Sequence, residues 1–310
     1  MSSPTKHQRI ERMVAGALAI EEQSALDAGA LGFMARALVQ ATMPHRSIPE
    51  DRFIRTNGSY ELEMVAMRND IGLPYGSMPR LILAWMGTEA VKTQERELVL
   101  GDNMTDFMRQ LGLVPYGGRW GTITRLKDQT RRLLNCGITC SYTREHPNGA
   151  NEASAKMLVA EDTDFWWPVS NNVNEQRSLF KSTIKLSERF FNEIVSHPVP
   201  VDMRTLNELK RSPMALDIYA WLTWRMSYLN KATTIPWEGL QAQFGAGYPM
   251  TNRGKQDFKA KFKKHLKDVL VYYTNAKVDA DKAGLTLKPS LTHITASPNS
   301  ISSPDSNKPS

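Results

Sequence analysis

Basic side chains are concentrated in two short windows of this 310-residue chain. Residues 117–146 hold six Lys or Arg against two acids, and residues 253–267 hold seven against one. These windows carry ten net positive charges, whereas the whole chain carries +7, so the remainder sums to −3. Clustered cations bind nucleic-acid phosphates, and the planar fork of Arg can also read guanine edges.

A helix with one apolar and one basic face is predicted in each window. The 3.6-residue period places Ile123, Leu126 and Leu133 on the core face of a helix over 122–134, and Phe258, Phe262 and Leu266 on that of a helix over 256–273. The candidate DNA-binding residues on and beside the opposite faces are Arg119, Thr124, Arg125, Gln129, Arg131 and Arg132 in the first window, and Arg253, Lys255, Gln256, Lys263, Lys264 and Lys267 in the second.

The two faces differ in chemistry. The first is rich in Arg, which suits base edges, and the second is rich in Lys, which suits phosphates, so the first is expected to read more sequence. A single Lys-rich helix face is as often merely solvated. Two basic helices at matching positions of a repeat favour a nucleic-acid interface.

The chain contains an internal repeat. Residues 80–85 reappear as 216–221, and each segment ends in a Trp. A short strand is predicted at Val99, after Trp85, and at Ile235, the equivalent position after Trp221. A compact helix and then a basic helix follow in both copies, so the repeat covers whole structural units.

Helix, strand, compact helix, basic helix and two strands is the order of a winged helix-turn-helix. In the second copy the strand is predicted at 233–236 and the compact helix at 237–244. The predicted fold is therefore mainly α with small β wings (α+β), in two tandem winged helix-turn-helix domains.

The expected organisation follows from this order and from composition. An N-terminal helical arm (1–47) precedes winged-helix domain 1 (48–165), a helical connector (166–211), winged-helix domain 2 (212–289) and a disordered tail (290–310). The first wing is predicted at 138–142 and 157–160, and a connector helix at 175–194. One or two arm helices are predicted at 9–43, with an interruption near Gly29 or Gly32. Leu31, Met34, Leu38 and Val39 either cover the first domain's core, which is favoured, or form a subunit contact.

Other chemistry has weaker support. Pro249 and Gln256 break the phosphate-loop pattern of residues 245–256. Cys136, Cys140 and His146 lack a fourth zinc ligand, so buried thiols are expected. Trp166 and Trp167 are expected to anchor the connector. We predict no enzyme activity, metal or cofactor, and a soluble cytoplasmic protein without a membrane segment.

The chain resembles RepA-type plasmid replication initiators, the family with a RepA C-terminal region. The resemblance covers roughly residues 33–288, and its most specific element is Gly117-Gly118-Arg119-Trp120-Gly121 followed by the basic helix. Supporting segments are residues 35–42, 44–45, 72–80, 88–91, 220–223 and 235–248.

Membership would imply binding to direct repeats, called iterons, in double-stranded DNA at a plasmid origin, with opening of nearby duplex. It would also imply recruitment of host replication initiator and helicase proteins, and a homodimer away from the repeats. The alternative is a transcriptional repressor or partition-type adaptor that binds DNA without initiator activity.

Overall fold

The computed structural model describes residues 5–101, 103–146, 149–164, 182–245 and 247–294. Its helices are α1 (Lys6–Glu22), α2 (Arg36–Gln40), α3 (Ser77–Thr93), α4 (Met104–Gln110), α5 (Thr122–Leu134), α6 (Glu188–Ser196), α7 (Met203–Leu209), α8 (Pro213–Tyr228), α9 (Trp237–Phe244) and α10 (Asn252–Leu270). Its strands are β1 (Leu31–Ala35), β2 (Arg52–Asn57), β3 (Tyr60–Ala66), β4 (Glu97–Val99), β5 (Cys136–His146), β6 (Gly149–Leu158), β7 (Ala160–Asp164), β8 (Thr183–Leu186), β9 (Pro198–Asp202), β10 (Thr233–Pro236), β11 (Val278–Ala280) and β12 (Gly284–Leu287). The predicted α+β class is confirmed.

The repeat in the sequence is a repeat in the structure. Corresponding elements of the two units are separated by one constant number of residues. This separation is the same for the starts of α3 and α8, for the starts of β4 and β10, and for the ends of α5 and α10. In the first unit Trp85 packs edge-on against Phe107 of α4 at 5.0 Å, and in the second Trp221 packs edge-on against Phe244 of α9 at 5.4 Å. Both tryptophans are buried, so the same core contact joins the same two helices in each unit.

Two three-stranded sheets share one strand order. In the second unit β12 lies between β10 and β11, and in the first β8 lies between β4 and β7, with antiparallel pairing throughout. Each unit therefore pairs the short strand after its first helix with the last strand of a later hairpin. Strand β8 falls within the predicted connector, yet it completes the sheet of the first unit.

The strands predicted for the first wing pair with each other, but they lie in a different sheet from β4. Strands do occur at residues 138–142 and 157–158, but they belong to the longer hairpin β5–β6, which extends a four-stranded sheet of order β2-β3-β5-β6. Leu62, fully buried, pairs with Cys140, and Met64, also fully buried, pairs with Ile138. Burying the apolar face of β3 requires β5 as its neighbour, which local alternation along β5 does not reveal.

The predicted arm over 9–43 contains two helices, α1 and α2, with the expected interruption near Gly29 or Gly32. Strand β1 lies within it and pairs with β9, in which Val199 and Val201 are buried. The valines of β9 supply an apolar partner strand from a distant part of the chain, and this partner favours the extended backbone over the helix that local composition predicts.

The predicted connector helix over 175–194 also differs. In the described part of this range the chain forms β8 and then α6. The break occurs at Ser187, whose hydroxyl caps α6 by accepting from the amide of Phe190. The predicted connector anchors, Trp166 and Trp167, lie outside the described residues.

The N-terminal apolar segment covers a core. Leu38 is 6% exposed and Val39 3% exposed, and their helix α2 packs against α6, α8 and β3. This burial agrees with the favoured prediction of core cover. A charge at Leu38 would unfold the segment rather than separate two subunits, because it would place an unpaired carboxylate in an apolar interior.

The beginning of the predicted disordered tail is packed. The imidazole of His293 lies 5.0 Å from the ring of Tyr273 and 5.4 Å from that of Tyr219, and its Nδ1 is 2.7 Å from the Tyr219 hydroxyl. The Tyr273 hydroxyl donates to the carbonyl of Leu291. Composition did not predict this order because one aromatic side chain inserted between two tyrosines anchors an otherwise polar segment.

We therefore expect a chain ending at Pro289 to be less stable than one ending at Ile294 by about 2 kcal/mol, because the shorter chain lacks two hydrogen bonds and the packing of His293 against two tyrosine rings. Urea unfolding of both truncations measures the difference, and His293→Ala in the full chain should reproduce most of it. Coincident unfolding curves would contradict the packing.

A buried ion pair joins the two units. Arg80 of α3 is 2% exposed and donates from Nε and Nη2 to the two carboxylate oxygens of Asp217 of α8, at 2.6 and 2.7 Å. Nε2 of His45 lies 2.7 Å from the same carboxylate. Burial lowers the pKa of His45 below its usual value, and the neighbouring carboxylate only partly offsets that effect.

Candidate nucleic-acid interface

A tight glycine turn sets the start of α5. Gly118 has a positive φ of 90°, and a Cβ at Gly121 would collide with the carbonyl oxygens of Tyr116 and Gly117. The Thr122 hydroxyl donates to the carbonyl of Val114 and accepts from the amide of Tyr116. These contacts fix the loop against the first turn of the helix.

The free face of α5 is basic and begins at this turn. Thr124, Arg125 and Arg131 are exposed, and the hydroxyl of Thr124 donates to the carbonyl of Gly118. Arg119 is exposed in the turn, with its guanidinium 5.2 Å from the ring centroid of Trp120. Arg125 and Arg131 are the candidate arginines of α5 that stay accessible on this face.

Two residues predicted to contact DNA from this face instead bind other parts of the protein. Gln129 is 5% exposed, and its Oε1 accepts from the amide of Tyr75 while its Nε2 donates to Asp128. The guanidinium of Arg132 pairs with Asp128 and lies 5.5 Å from the ring centroid of Tyr75. The helical wheel placed Arg132 on the outward face and Gln129 at its edge, because the wheel cannot include the loop before α3 that covers this flank.

We predict that Arg132→Ala lowers stability, whereas Arg131→Ala does not. The Ala variant would lose the ion pair with Asp128, the contact with the Tyr75 ring and the hydrogen bond to the Leu73 carbonyl. We expect its free energy of unfolding to fall by about 1–2 kcal/mol. Arg131 is exposed and lies 3.7 Å from Asp70. Thermal melts of the two variants provide the measurement, and equal melting temperatures would contradict the assignment.

Helix α10 is held by aromatic side chains. Phe258 and Phe262 are fully buried, and Phe262 packs edge-on against Trp237 of α9 at 5.9 Å. The hydroxyl of Thr251 caps the helix by accepting from the amide of Gly254, where a Cβ would collide with the carbonyl of Pro249. This start precedes the predicted position, 256, because the cap lies in the preceding turn.

The exposed face of α10 carries most of the predicted contacts. Arg253, Gln256, Lys264 and Lys267 are exposed on it. Their spacing along the helix follows its 3.6-residue period, so they form one surface. Because three of these side chains are cations, the surface is suited to binding the phosphate backbone of DNA.

Two predicted lysines serve internal contacts. Lys263 donates to the carbonyl of Ala280 in β11 at 2.8 Å, and its Nζ lies 5.5 Å from the ring centroid of Trp237. Lys255 pairs with Glu238 of α9 at 3.2 Å. Both are half-buried, so they attach α10 to its own unit.

Some surface features were missed by sequence reasoning. Trp120 is 79% exposed, Tyr116 71% and Val114 76%, all in the loop that leads into α5. The Gly-Gly-Arg-Trp-Gly segment was a signal, because its glycines indicate a turn outside any helix, where a Trp has no core to enter. The 3.6-residue period did not reveal this loop because the period applies only to helices.

The cysteines are buried, as expected. Cys136 is free and fully buried, and burial raises the pKa of its thiol to about 12. Cys140 is also free, with a pKa raised to about 11 by burial. Thiols held in the protonated form are poor nucleophiles. In the part of the chain that the structure describes, no three His, Cys, Asp or Glu side chains converge on a metal-sized site.

The chain belongs to the family described as plasmid encoded RepA protein, whose model matches residues 73–239, more than half of its length. The resemblance to RepA-type replication initiators is thereby confirmed. Among curated proteins, none matches the chain. None of the helices described combines the length and the apolar character needed to cross a bilayer.

The chain is also similar to solved structures. A crystal structure of a selenomethionine derivative of domains 2 and 3 of RctB matches with 14% identity and a TM-score of 0.50, covering 81% of this chain and 95% of that one. A second crystal structure of RctB domains 2–3 matches with 12% identity and a TM-score of 0.48, covering 81% of this chain and 96% of that one. The first of these supports a shared fold.

Proposed function

We propose that this protein is a plasmid replication initiator that binds direct repeats at its origin as a sequence-specific double-stranded DNA-binding protein. The observation that carries the proposal is the pair of matched units, each with a basic helix after the same helix, strand and helix. The family match to plasmid encoded RepA proteins supports the replication role.

Each unit is proposed to act as a winged helix, with α5 and α10 in the major groove. The sheet orders β4-β8-β7 and β10-β12-β11 support this interpretation, because each places a hairpin beside the first short strand. The hairpin of β7 and β8 then takes the role that the sequence assigned to residues 138–160.

The division of labour rests on side-chain type. Arg125 and Arg131 offer planar forks to base edges on α5, and Lys264 and Lys267 offer point charges to phosphates on α10. Duplex opening and recruitment of host initiator and helicase proteins are proposed to follow binding, in the cytoplasm and without an active site, metal or cofactor of this chain's own. A homodimer away from the repeats is part of the same proposal.

Binding of the full chain to its plasmid's origin tests the proposal. Fluorescence anisotropy should show that a duplex carrying one origin repeat binds at least about 10³-fold more tightly than a scrambled duplex of the same composition. Equal affinities would contradict sequence-specific binding.

A second readout separates initiator from repressor. Permanganate reactivity of thymines beside the repeats should rise when the protein binds a supercoiled origin plasmid. Tight binding without that rise would favour the repressor or partition-type adaptor.

A further inference from the structure

A cleft of about 1020 Å³ lies between the two units, beside α10. Its wall on one side is the segment from Pro44 to Arg55, and on the other it includes Tyr248, Lys261 and His265. A volume of this size is that of a small-molecule site. None of the residues so far assigned to DNA contact lines it.

The floor of the cleft holds a buried cation. Arg55 is 6% exposed, its Nη1 donates to the carbonyl of Ala242 at 3.3 Å, and its Nε has no hydrogen-bond partner among the described residues. The nearby carboxylate of Asp217 already accepts from both Arg80 and His45. Burial lowers the pKa of Arg55 to about 10; the charge of Asp217 partly opposes this effect, and the charge of Arg80 adds to it.

Such an arrangement is costly unless an anion binds beside it. A buried guanidinium destabilises a protein unless a counter-ion and hydrogen bonds compensate it. Among the side chains that the structure describes, two arginines and a histidine here share one carboxylate. An anion entering from the cleft would supply the missing negative charge beside the Arg55 guanidinium.

The entrance is also positive. Arg46, Arg52 and Lys261 line it, with Glu50 as the one acid among the lining residues that the structure describes. Arg52 is engaged by Glu63, whereas Arg46 and Lys261 are exposed. One Nη of Arg46 donates to a backbone carbonyl of the loop before α10, which holds the guanidinium at the rim.

We propose that this inter-unit cleft binds a phosphate group, with Arg55 at its floor and Arg46 and Lys261 at its entrance. Arg fits phosphate oxygens with paired N–H donors, and Lys adds a point charge. The phosphate comes either from a free nucleotide or from the backbone of DNA lying along α10, whose flank carries Lys261. The claim that the cleft binds phosphate does not depend on the proposed function.

Calorimetric titration of the full chain with pyrophosphate tests the site. We expect one saturable site in the wild type and at least tenfold weaker binding in Arg46→Ala/Lys261→Ala. The matched control is Arg189→Ala/Lys92→Ala, which removes one exposed Arg and one exposed Lys outside the cleft and should bind like the wild type. No saturable binding, or equal binding by all three proteins, would overturn the proposal.

Two further arms identify the source of the phosphate. Tighter binding of deoxythymidine monophosphate than of pyrophosphate, lost in the double variant, supports a nucleotide site. A tenfold loss of affinity of the double variant for random duplex, with a salt slope smaller by about two, supports the DNA backbone. Thermal melts within error of the wild type show that the variants fold. The Arg55→Lys variant provides a second test, because it keeps the buried charge and should still bind pyrophosphate more weakly than the wild type.

Discussion

Replacing Asp217 by Asn is expected to lower the free energy of unfolding by about 3–5 kcal/mol. The carboxylate is 9% exposed and is the only acid within the described contacts of the buried Arg80 guanidinium. Without it, Arg80 stays buried between the two units and lacks the opposite charge that those contacts supply. Urea unfolding should show the change as a lower midpoint at an unchanged slope.

A surface ion pair provides the control. Asp162 lies 4.0 Å from Lys185 and is 79% exposed, so Asp162→Asn should unfold with the wild type. A loss below about 1 kcal/mol for Asp217→Asn would contradict a structural role for the ion pair. A change of slope instead would indicate that the two units unfold separately.

Replacing Arg125 by Ala is expected to cost about 1–3 kcal/mol of binding free energy on an origin repeat and little on random DNA. The reason is that Arg125 is exposed on α5, where a guanidinium can meet a base edge. Competition anisotropy with repeat and random duplexes measures both affinities in one titration.

Lys264→Ala provides the contrasting variant. Lys264 is exposed on α10, so its loss should weaken repeat and random DNA alike and reduce the salt slope by about one. Equal losses on both duplexes for Arg125→Ala would refute the division between base reading and phosphate binding. Lys263→Ala is unsuitable here because its Nζ is bound to the carbonyl of Ala280.

Local elements of this fold were predictable because their signals are local. Helix α5 spans the predicted residues, as do β10 and α9, since periodicity, caps and breakers lie within each segment. The internal repeat predicted the order of elements in both units.

Contacts between distant segments were not predictable in the same way. The pairing of β5 with β3 joins segments far apart in the chain, and the burial of Gln129 depends on the loop around Tyr75. The order of residues 290–294 depends on Tyr219 of α8 and on Tyr273 in the turn after α10. Gln129 and Arg132 were predicted to contact DNA but bind within the fold, because their partners come from other segments. Lys255 and Lys263 likewise bind residues of their own unit and hold α10 in place.

Hydroxyl-radical footprinting of the full chain on a duplex with one origin repeat is the most direct test of the central claim, which is that both units engage one repeat through α5 and α10. We expect two protected patches about 10 bp apart on the same face of the duplex, one for each basic helix. Arg125→Ala should weaken one patch and Lys264→Ala the other. A single compact patch, unchanged in shape by either variant, would contradict the claim.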